Sequence, residues 1–128
     1  MPVESTKRNG NLDFEVMVSG HKLIADVTTR LGGANLGPDP HDYLLTALAS
    51  CTAITVQMYA NRKGIPLKSS DVKIKITKEG PENEILREIK FEGDLTEEQR
   101  HSLVAIAEKC PIHNFLVRGA KIITQETT

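Results

Sequence analysis

Apolar residues at every second position mark two short segments near the start of the chain. In LDFEVMVSG, residues Phe14, Val16 and Val18 recur with the period of two that is typical of a β-strand. Ser19 and Gly20 then provide turn residues, and HKLIADV predicts a partner strand. The segment TTRLGGANLGPDP follows, and its glycines and prolines predict a loop, which carries Arg30.

A long apolar segment without charges follows this loop. Asp39 and Pro40 form a favourable helix start, since an N-cap acceptor precedes a proline at the first helical position. The predicted helix ends near Lys63, before Gly64, and at ~1.5 Å per residue it is roughly 34 Å long. Because it contains several Thr and Ser residues, we expect it to be buried in a protein or subunit interface and not in a membrane.

The second half of the chain predicts two more strands, a helix and a last strand. SDVKIKITKE alternates as a half-buried strand does, and PENEILREIKFEGDL predicts a turn and another strand through Ile89 and Phe91. Thr96 with Gln99 forms a capping box for the second helix. The apolar spacing places Cys110 on the buried face of that helix, and Pro111 is predicted to end it. With AKIITQ as the last strand, the chain is predicted to be an α+β protein with a single domain over residues 1–128.

Composition excludes several classes of partner. The chain has 128 residues, of which 39% are hydrophobic and 26% charged, with a formal net charge of −1. This near-neutral balance argues against nucleic acid and against anionic membranes as partners. The N-terminal residues lack the apolar core of a signal peptide, so we expect a cytoplasmic protein, in which two cysteines are not a permanent disulfide.

The two cysteines are the residues with the most distinctive chemistry. Apolar neighbours surround Cys51 and Cys110, and burial alone makes a thiol inert. A reactive thiolate needs a nearby cation, because Cys51 lies in the middle of its helix, away from the positive end of the dipole. Arg30 is the best candidate for that cation, and Arg8 and His113 are weaker ones.

A metal site is a rival use of the same residues. Cys51, Cys110, His113 and His41 together form a Cys2His2 set, which zinc could bind. Zinc ligands usually come in closely spaced pairs, and Cys110 with His113 is the only such pair in this set. The spacing therefore argues against a metal.

Two motifs resemble a known family. The segment GPDPHDYLLTALASCTAITVQMYANRKG, residues 37–64, and the segment EKCPIHNFL, residues 108–116, resemble the OsmC/Ohr family of organic hydroperoxide reductases. The resemblance covers nearly the whole chain. It implies an OsmC/Ohr-like fold, in which β-sheets wrap around long central helices and two chains interleave into a homodimer.

The resemblance also implies a thiol peroxidase that needs no cofactor. Cys51 would attack an organic hydroperoxide and become a sulfenic acid, and Cys110 would condense with it to a disulfide. An external dithiol, of the lipoyl type in this family, would then reduce the disulfide. No residue of the sequence specifies the preferred peroxide or the reductant.

The resemblance further assigns an arginine and a glutamate to assist Cys51. Arg30 matches the arginine, whereas His41 stands where the glutamate is expected and the neighbouring acid is Asp42. The acidic role is therefore carried over to Asp42. Ten residues of helix span ~15 Å, so the start of the helix reaches Cys51 only if the helix bends or a second chain supplies it.

Three interpretations stay open at this point. The first is a homodimeric hydroperoxide reductase. The second is a protein of the same fold that binds an apolar ligand or senses oxidation without efficient turnover. The third gives both cysteines a purely structural role as small core residues.

Overall fold

The computed structural model describes residues 2–8 and 10–127, and these fall into two compact units, the first ending at Thr46 and the second beginning at Ala47. The strands are β1 (Val3–Lys7), β2 (Phe14–Val18), β3 (His21–Ala25), β4 (Leu67–Lys78) and β5 (Glu84–Gly93), and the α-helices are α1 (Pro40–Lys63), α2 (Glu97–Ala107) and α3 (Pro111–Arg118). The α+β class predicted from the sequence is confirmed.

The first unit contains a three-stranded antiparallel sheet in the order β1–β2–β3. The predicted strands β2 and β3 are both present, with Val18 paired to His21 across the turn. Ser19 and Gly20 have φ values of 49° and 79°, as a two-residue hairpin turn with a right-handed strand twist requires. Strand β1 was not predicted, because its sequence VESTK is exposed throughout and has no apolar alternation.

Helix α1 begins and ends where the sequence predicts. Asp39 accepts a hydrogen bond from the Asp42 N–H (2.8 Å), and the Asp42 carboxylate accepts one from the Asp39 N–H (3.1 Å). This reciprocal pair satisfies two donors at the helix start, as a capping box does. Gly64, with a φ of 68°, follows the last residue of the helix.

In the second unit, α1 packs one side into an apolar core. Its buried residues recur every four positions, which places them along one stripe of the helix: Leu48, Thr52, Val56 and Ala60. The core also includes Leu67 of β4 together with Leu103 and Ala107 of α2. Among the described residues, α1 is the one helix long and apolar enough to cross a membrane by length and composition, a property that core helices share.

The prediction that α2 extends through Cys110 is wrong. Helix α2 ends at Ala107, and Cys110 has an extended backbone, with φ −58° and ψ 135°. The ring of Pro111 disfavours helical geometry at Cys110, but it suits the first position of a new helix, α3. Pro111 therefore starts a helix as well as preventing the extension of the previous one.

The predicted last strand, AKIITQ, does not form within this chain. Residues 119–127 adopt neither helix nor strand. Ile122 and Ile123 in this segment are 87% and 73% exposed. A strand needs a neighbouring strand to satisfy its backbone N–H and C=O groups, and here residues 119–127 pair with none.

Candidate functional site

The second unit brings the two cysteines together. Cys51 is half-buried in the middle of α1, and Cys110 is fully buried at the N-cap of α3. Both are free thiols, and they lie close enough for the Cys110 thiol, as a hydrogen-bond donor, to lower the pKa of Cys51. The contact provides the proximity that a disulfide between them requires, although the catalytic roles of both residues stay predictions.

Hydrogen bonds make Cys51 the more acidic of the two thiols. Burial opposes its ionisation, but donors from the Cys110 thiol, the Ile112 backbone N–H and the Thr55 hydroxyl outweigh burial, and the pKa of Cys51 is lowered. The Thr55 Oγ1 lies 3.9 Å from the Cys51 sulfur. The site therefore favours a thiolate at Cys51.

Cys110 is held in the opposite state. Burial raises the pKa of its thiol, and the hydrogen bond to Cys51 raises it further, because a donor to a thiolate must keep its proton. The backbone N–H of His113 donates to the Cys110 sulfur (3.4 Å) and acts against this rise. One member of the pair is thus favoured as a thiolate and the other as a neutral donor.

The N-terminus of α3 supplies part of the polarity that the sequence led us to expect from a cation. Cys51 lies far from either end of its own helix, but Ile112 belongs to the first turn of α3, where backbone N–H groups have no partner within the helix. These N–H groups carry the positive end of the α3 dipole. Stabilisation of the Cys51 thiolate within this unit therefore comes from neutral donors, two of which, the Cys110 thiol and the Ile112 N–H, belong to the start of α3.

Arg87 was not among the predicted site residues. It is a largely buried cation close to both segments that carry the thiols. Its side chain is 12% exposed. It donates to Thr52 Oγ1 (3.1 Å) and to Glu108 Oε2 (3.2 Å), and its Nη2 lies 3.0 Å from His113 Nδ1. The sequence contains a signal for it, because the alternation in EILREIKFEG places Arg87 on the same strand face as Ile85 and Ile89.

In the first unit, Arg30 lies exposed in a short 3-10 helix, Thr29–Leu31, inside the predicted loop. The buried carboxylate of Asp26 organises this loop by accepting hydrogen bonds from the backbone N–H groups of Val27 (2.7 Å), Ala34 (3.2 Å) and Leu36 (3.1 Å). The bond from Leu36 is the largest cause that lowers the pKa of Asp26. Arg30 therefore extends from a loop with a defined backbone.

His41 and Asp42 lie in the first turn of α1, and both are exposed. The carboxylate of Asp42 caps the helix through the Asp39 N–H, so its observed contact is structural. Neither the catalytic role assigned to Asp42 nor the one assigned to His41 is tested by this contact, and both stay predictions.

The described part of the chain, residues 2–8 and 10–127, contains no group of three or more His, Cys, Asp or Glu side chains that could hold a metal ion. The groups that donate to Cys51 are the Cys110 thiol, the Thr55 hydroxyl and the Ile112 backbone N–H. This set fits a chemistry that stabilises a sulfur anion.

Comparison with known proteins identifies the type of fold. The model of the OsmC-like protein family matches residues 32–125. The chain superposes on an OsmC-like protein from Mycoplasma pneumoniae with a TM-score of 0.78 and 17% identity, over 91% of this chain and 86% of that chain. No curated protein matches the sequence significantly.

Two further solved structures carry names related to peroxide resistance. An organic hydroperoxide resistance protein OsmC from Legionella pneumophila has a TM-score of 0.66 and 22% identity, over 92% of this chain and 88% of that chain. The organic hydroperoxide resistance protein OhrB of Bacillus subtilis has a TM-score of 0.63 and 17% identity, over 92% of this chain and 90% of that chain. At these identities the similarity establishes the fold.

Proposed function

This chain belongs to the OsmC-like family, and from that premise we propose that it is a cysteine-based peroxidase that reduces organic hydroperoxides to alcohols. The observation that carries the proposal is the proximity of the two cysteines, at which hydrogen bonding from the Cys110 thiol lowers the pKa of Cys51. A peroxidase of this type needs an ionised attacking thiol and a second thiol within bonding reach. The peroxide-resistance names of the relatives from Legionella pneumophila and Bacillus subtilis agree with this role.

In the first proposed step, the Cys51 thiolate attacks the distal oxygen of the hydroperoxide. The O–O bond breaks, the alkoxide leaves and takes up a proton to become an alcohol, and Cys51 becomes a sulfenic acid. In the second step, the Cys110 sulfur attacks the Cys51 sulfur, the S–S bond forms, and hydroxide leaves with a proton as water. An external dithiol then reduces the disulfide and is itself oxidised to a disulfide.

The pKa of Cys110 suits this order of events. While Cys51 is a thiolate, its hydrogen bond and its negative charge both help to keep Cys110 protonated. Oxidation of Cys51 to a neutral sulfenic acid removes the charge, whereas the donors to Cys110 from the backbone of His113 and Ile112 stay in place. Cys110 then ionises more easily when it is needed as a nucleophile.

We also propose that the active protein is a homodimer in the cytoplasm. Large apolar side chains of the second unit are exposed in the single chain, among them Ile54, Met58, Phe115, Val117, Ile122 and Ile123. Exposed apolar groups of this kind mark protein–protein interfaces. A second copy of the chain would cover them and give residues 119–127 a strand to pair with.

Arg30, Asp42 and His41 are proposed to complete the site in the dimer. Because α1 is continuous from Pro40 to Lys63, the nine residues from Asp42 to Cys51 rise ~14 Å along the helix. A second chain is the simpler way to bring an acid and a cation to the Cys51 thiolate. The guanidinium of Arg30 would stabilise the thiolate and orient the peroxide, and Asp42 or His41 would orient Arg30.

The experiment is consumption of cumene hydroperoxide by the purified protein with dihydrolipoamide as the reductant. We expect turnover that Cys51→Ser abolishes, whereas Cys110→Ser reacts once and then accumulates oxidised Cys51, because no second thiol condenses with it. Arg118→Lys, in the last turn of α3, is the matched control and should leave turnover unchanged. Equal turnover in the Cys51→Ser variant and the unaltered protein contradicts the proposal.

A further inference from the structure

Arg87 is a charged residue at an inward-facing position of β5. Alternation along the strand places it on the half-buried face with Ile85, Ile89 and Phe91, and its side chain is 12% exposed. A guanidinium almost never occupies such a position unless partners satisfy its N–H groups. An apolar residue would suit the same register without partners, so the contacts of Arg87 call for an explanation.

The three contacts of Arg87 all lie within three residues of a cysteine in the sequence. Thr52 follows Cys51 in α1, and its buried hydroxyl, which donates to the Leu48 carbonyl (2.7 Å), accepts a hydrogen bond from Arg87 Nη1. On the other side, Arg87 Nη2 contacts Glu108 and His113, which precede and follow Cys110. A single guanidinium therefore joins the two segments that carry the thiols.

The contacts on the Cys110 side continue to the sulfur itself. The carboxylate of Glu108 lies 3.2 Å from Arg87 Nη2 and 3.4 Å from His113 Nε2. The backbone N–H of His113 in turn donates to the Cys110 sulfur (3.4 Å). The corner between α2 and α3 is thus attached to β5 through Arg87, and Cys110 lies within that corner.

We propose that Arg87 is a positioning residue, which holds the Cys51 turn of α1 and the corner around Cys110 at the separation where the two sulfurs form a disulfide. The proposal rests on the proposed function, in which these two thiols act as a pair. The guanidinium is planar and presents its N–H donors in a fixed fork, so Nη1 and Nη2 can serve two segments at once. A lysine ammonium keeps the charge but has no such fork.

The test measures the equilibrium between the Cys51 and Cys110 thiols and oxidised glutathione. It compares Arg87→Lys with the unaltered protein. In this exchange Cys51 and Cys110 are oxidised to a disulfide and one oxidised glutathione is reduced to two thiols, so no peroxide is involved. The equilibrium gives an effective concentration for the pair, read by mass spectrometry after acid quenching. Arg62→Lys, at the exposed end of α1, is the matched control.

We expect Arg87→Lys to lower the effective concentration about 10- to 100-fold in the folded protein, because misplacement by about 1 Å has effects of that size. In denaturant the variant and the unaltered protein should agree, and Arg62→Lys should agree with the unaltered protein in both conditions. A folded Arg87→Lys protein with an unchanged effective concentration, even one of lower stability, overturns the proposal and leaves Arg87 a structural residue.

If Arg87→Lys does not fold, Glu108→Ala takes its place. Glu108 is exposed, so its removal releases one anchor of the guanidinium without opening the core. An unchanged equilibrium in Glu108→Ala then overturns the proposal. Peroxide turnover of the unaltered protein is measured separately. If that protein forms the disulfide at a high effective concentration but consumes no peroxide, the proposed function is contradicted. If it consumes peroxide and the variants keep its disulfide equilibrium, the positioning role alone is contradicted.

Discussion

The backbone N–H of Ile112 lies close enough to Cys51 to lower the pKa of its thiol by hydrogen bonding, so the first turn of α3 faces a thiol in the middle of α1. The N–H groups of a first helical turn are free to bind an anion, and the helix dipole favours negative charge there. Burial raises the pKa of Cys51, and this donor, with the Cys110 thiol and the Thr55 hydroxyl, overcomes it. The thiolate is thus stabilised inside one unit by groups that carry no net charge.

The first prediction concerns the contribution of Cys110 to the acidity of Cys51. Both Cys110→Ser and Cys110→Ala leave Cys51 as the only thiol of the chain, but serine keeps a side-chain donor and alanine does not. We expect the rate of alkylation by iodoacetamide to rise at a higher pH in Cys110→Ala than in Cys110→Ser. The pH dependence of the alkylation rate gives the pKa of Cys51 in each variant.

Circular dichroism at each pH checks that both variants stay folded. Identical alkylation profiles, with both proteins folded, would show that the Cys110 side chain does not donate to Cys51. A profile no different from that of the unfolded chain would in addition contradict the lowered pKa of Cys51 itself.

The second prediction is the pH dependence of stability that follows from a lowered pKa. Between the folded and the unfolded pKa of Cys51, the unfolded chain binds more protons, so the free energy of unfolding rises with pH in that window. It levels off above the unfolded pKa, and the contribution is lost as the pH falls through the folded pKa. Cys110 acts in the opposite direction, so the measurement uses Cys110→Ser.

Urea unfolding of Cys110→Ser is compared with that of the double variant Cys51→Ser/Cys110→Ser over the alkaline range. The difference in the free energy of unfolding between the two should grow with pH and then become constant. A difference that shrinks as the pH rises would have the wrong sign and would mean that burial, and not hydrogen bonding, decides the pKa of Cys51.

Helices α1 and α2 and four of the five strands could be predicted from local patterns, but helix α3 and the contacts of the site could not. The apolar spacing in α2 extends to Cys110 and suggested one helix, because periodicity does not reveal a break that a proline imposes on the residue before it. Arg87 stands at an inward position of β5, yet its partners are 21 to 35 residues away in sequence. Which groups the Arg87 side chain reaches is determined only by the packing of β5 against the helices.

The last strand shows a different limit. AKIITQ has the apolar content of a strand, but strand formation depends on a pairing partner, which no part of a short segment encodes. The cysteine pair was assigned from the family resemblance, and the structure brings the two sulfurs together through two segments that lie far apart in the chain. Resemblance supplied that pairing, whereas composition and periodicity did not.

The third prediction separates two threonines of α1 that lie on either side of the site. Thr52 is fully buried and accepts a hydrogen bond from Arg87, so Thr52→Val leaves a buried donor without its acceptor and should cost about 1–3 kcal/mol in the free energy of unfolding. Thr55 touches the Cys51 sulfur, so Thr55→Val should shift the alkylation profile of Cys51 to higher pH with a smaller loss of stability. Urea unfolding and alkylation of both variants check the contrast.

The two valine variants act as controls for each other, since each removes one hydroxyl from the same helix. If Thr55→Val moves the alkylation profile no more than Thr52→Val does, the Thr55 hydroxyl is not a donor to the thiolate. If Thr52→Val is as stable as the unaltered protein, its contact with Arg87 contributes no net stability.

The fourth prediction concerns the loop that carries Arg30. Asp26→Asn replaces one of the carboxylate oxygens with an NH2 group, which cannot accept from the N–H groups of Ala34 and Leu36. We expect hydrogen exchange at these two amides to accelerate, measured by NMR, while the amides paired between β2 and β3 keep their protection. Asp39→Asn is the control, because asparagine caps a helix about as well as aspartate.

The same Asp26→Asn protein tests whether loop order matters for the proposed chemistry. If Arg30 assists Cys51, loosening its loop should lower kcat/KM for cumene hydroperoxide, and Arg30→Lys should lower it as well. Faster exchange at Ala34 and Leu36 with unchanged kcat/KM would separate Arg30 from the reaction.

The fifth prediction is the oligomeric state. Ile54 and Met58 are 58% and 62% exposed on α1, one turn apart, and Ile54 is one turn from Cys51. Exposed apolar residues at this spacing form a continuous stripe, which lysine at both positions would make charged. We therefore expect the unaltered protein to elute as a dimer in size-exclusion chromatography with light scattering, and Ile54→Lys/Met58→Lys to elute as a folded monomer.

Glu88→Lys, at an exposed polar position of β5, introduces the same side chain elsewhere in the second unit and should stay dimeric. A monomeric unaltered protein contradicts the proposed dimer directly. If the double lysine variant stays dimeric, the stripe of Ile54 and Met58 is not the interface, and the exposed isoleucines of residues 119–127 become the surface to test, by deleting that segment. A monomer that also loses peroxide turnover while keeping the Cys51–Cys110 disulfide equilibrium would agree with an acid and a cation supplied by a second chain.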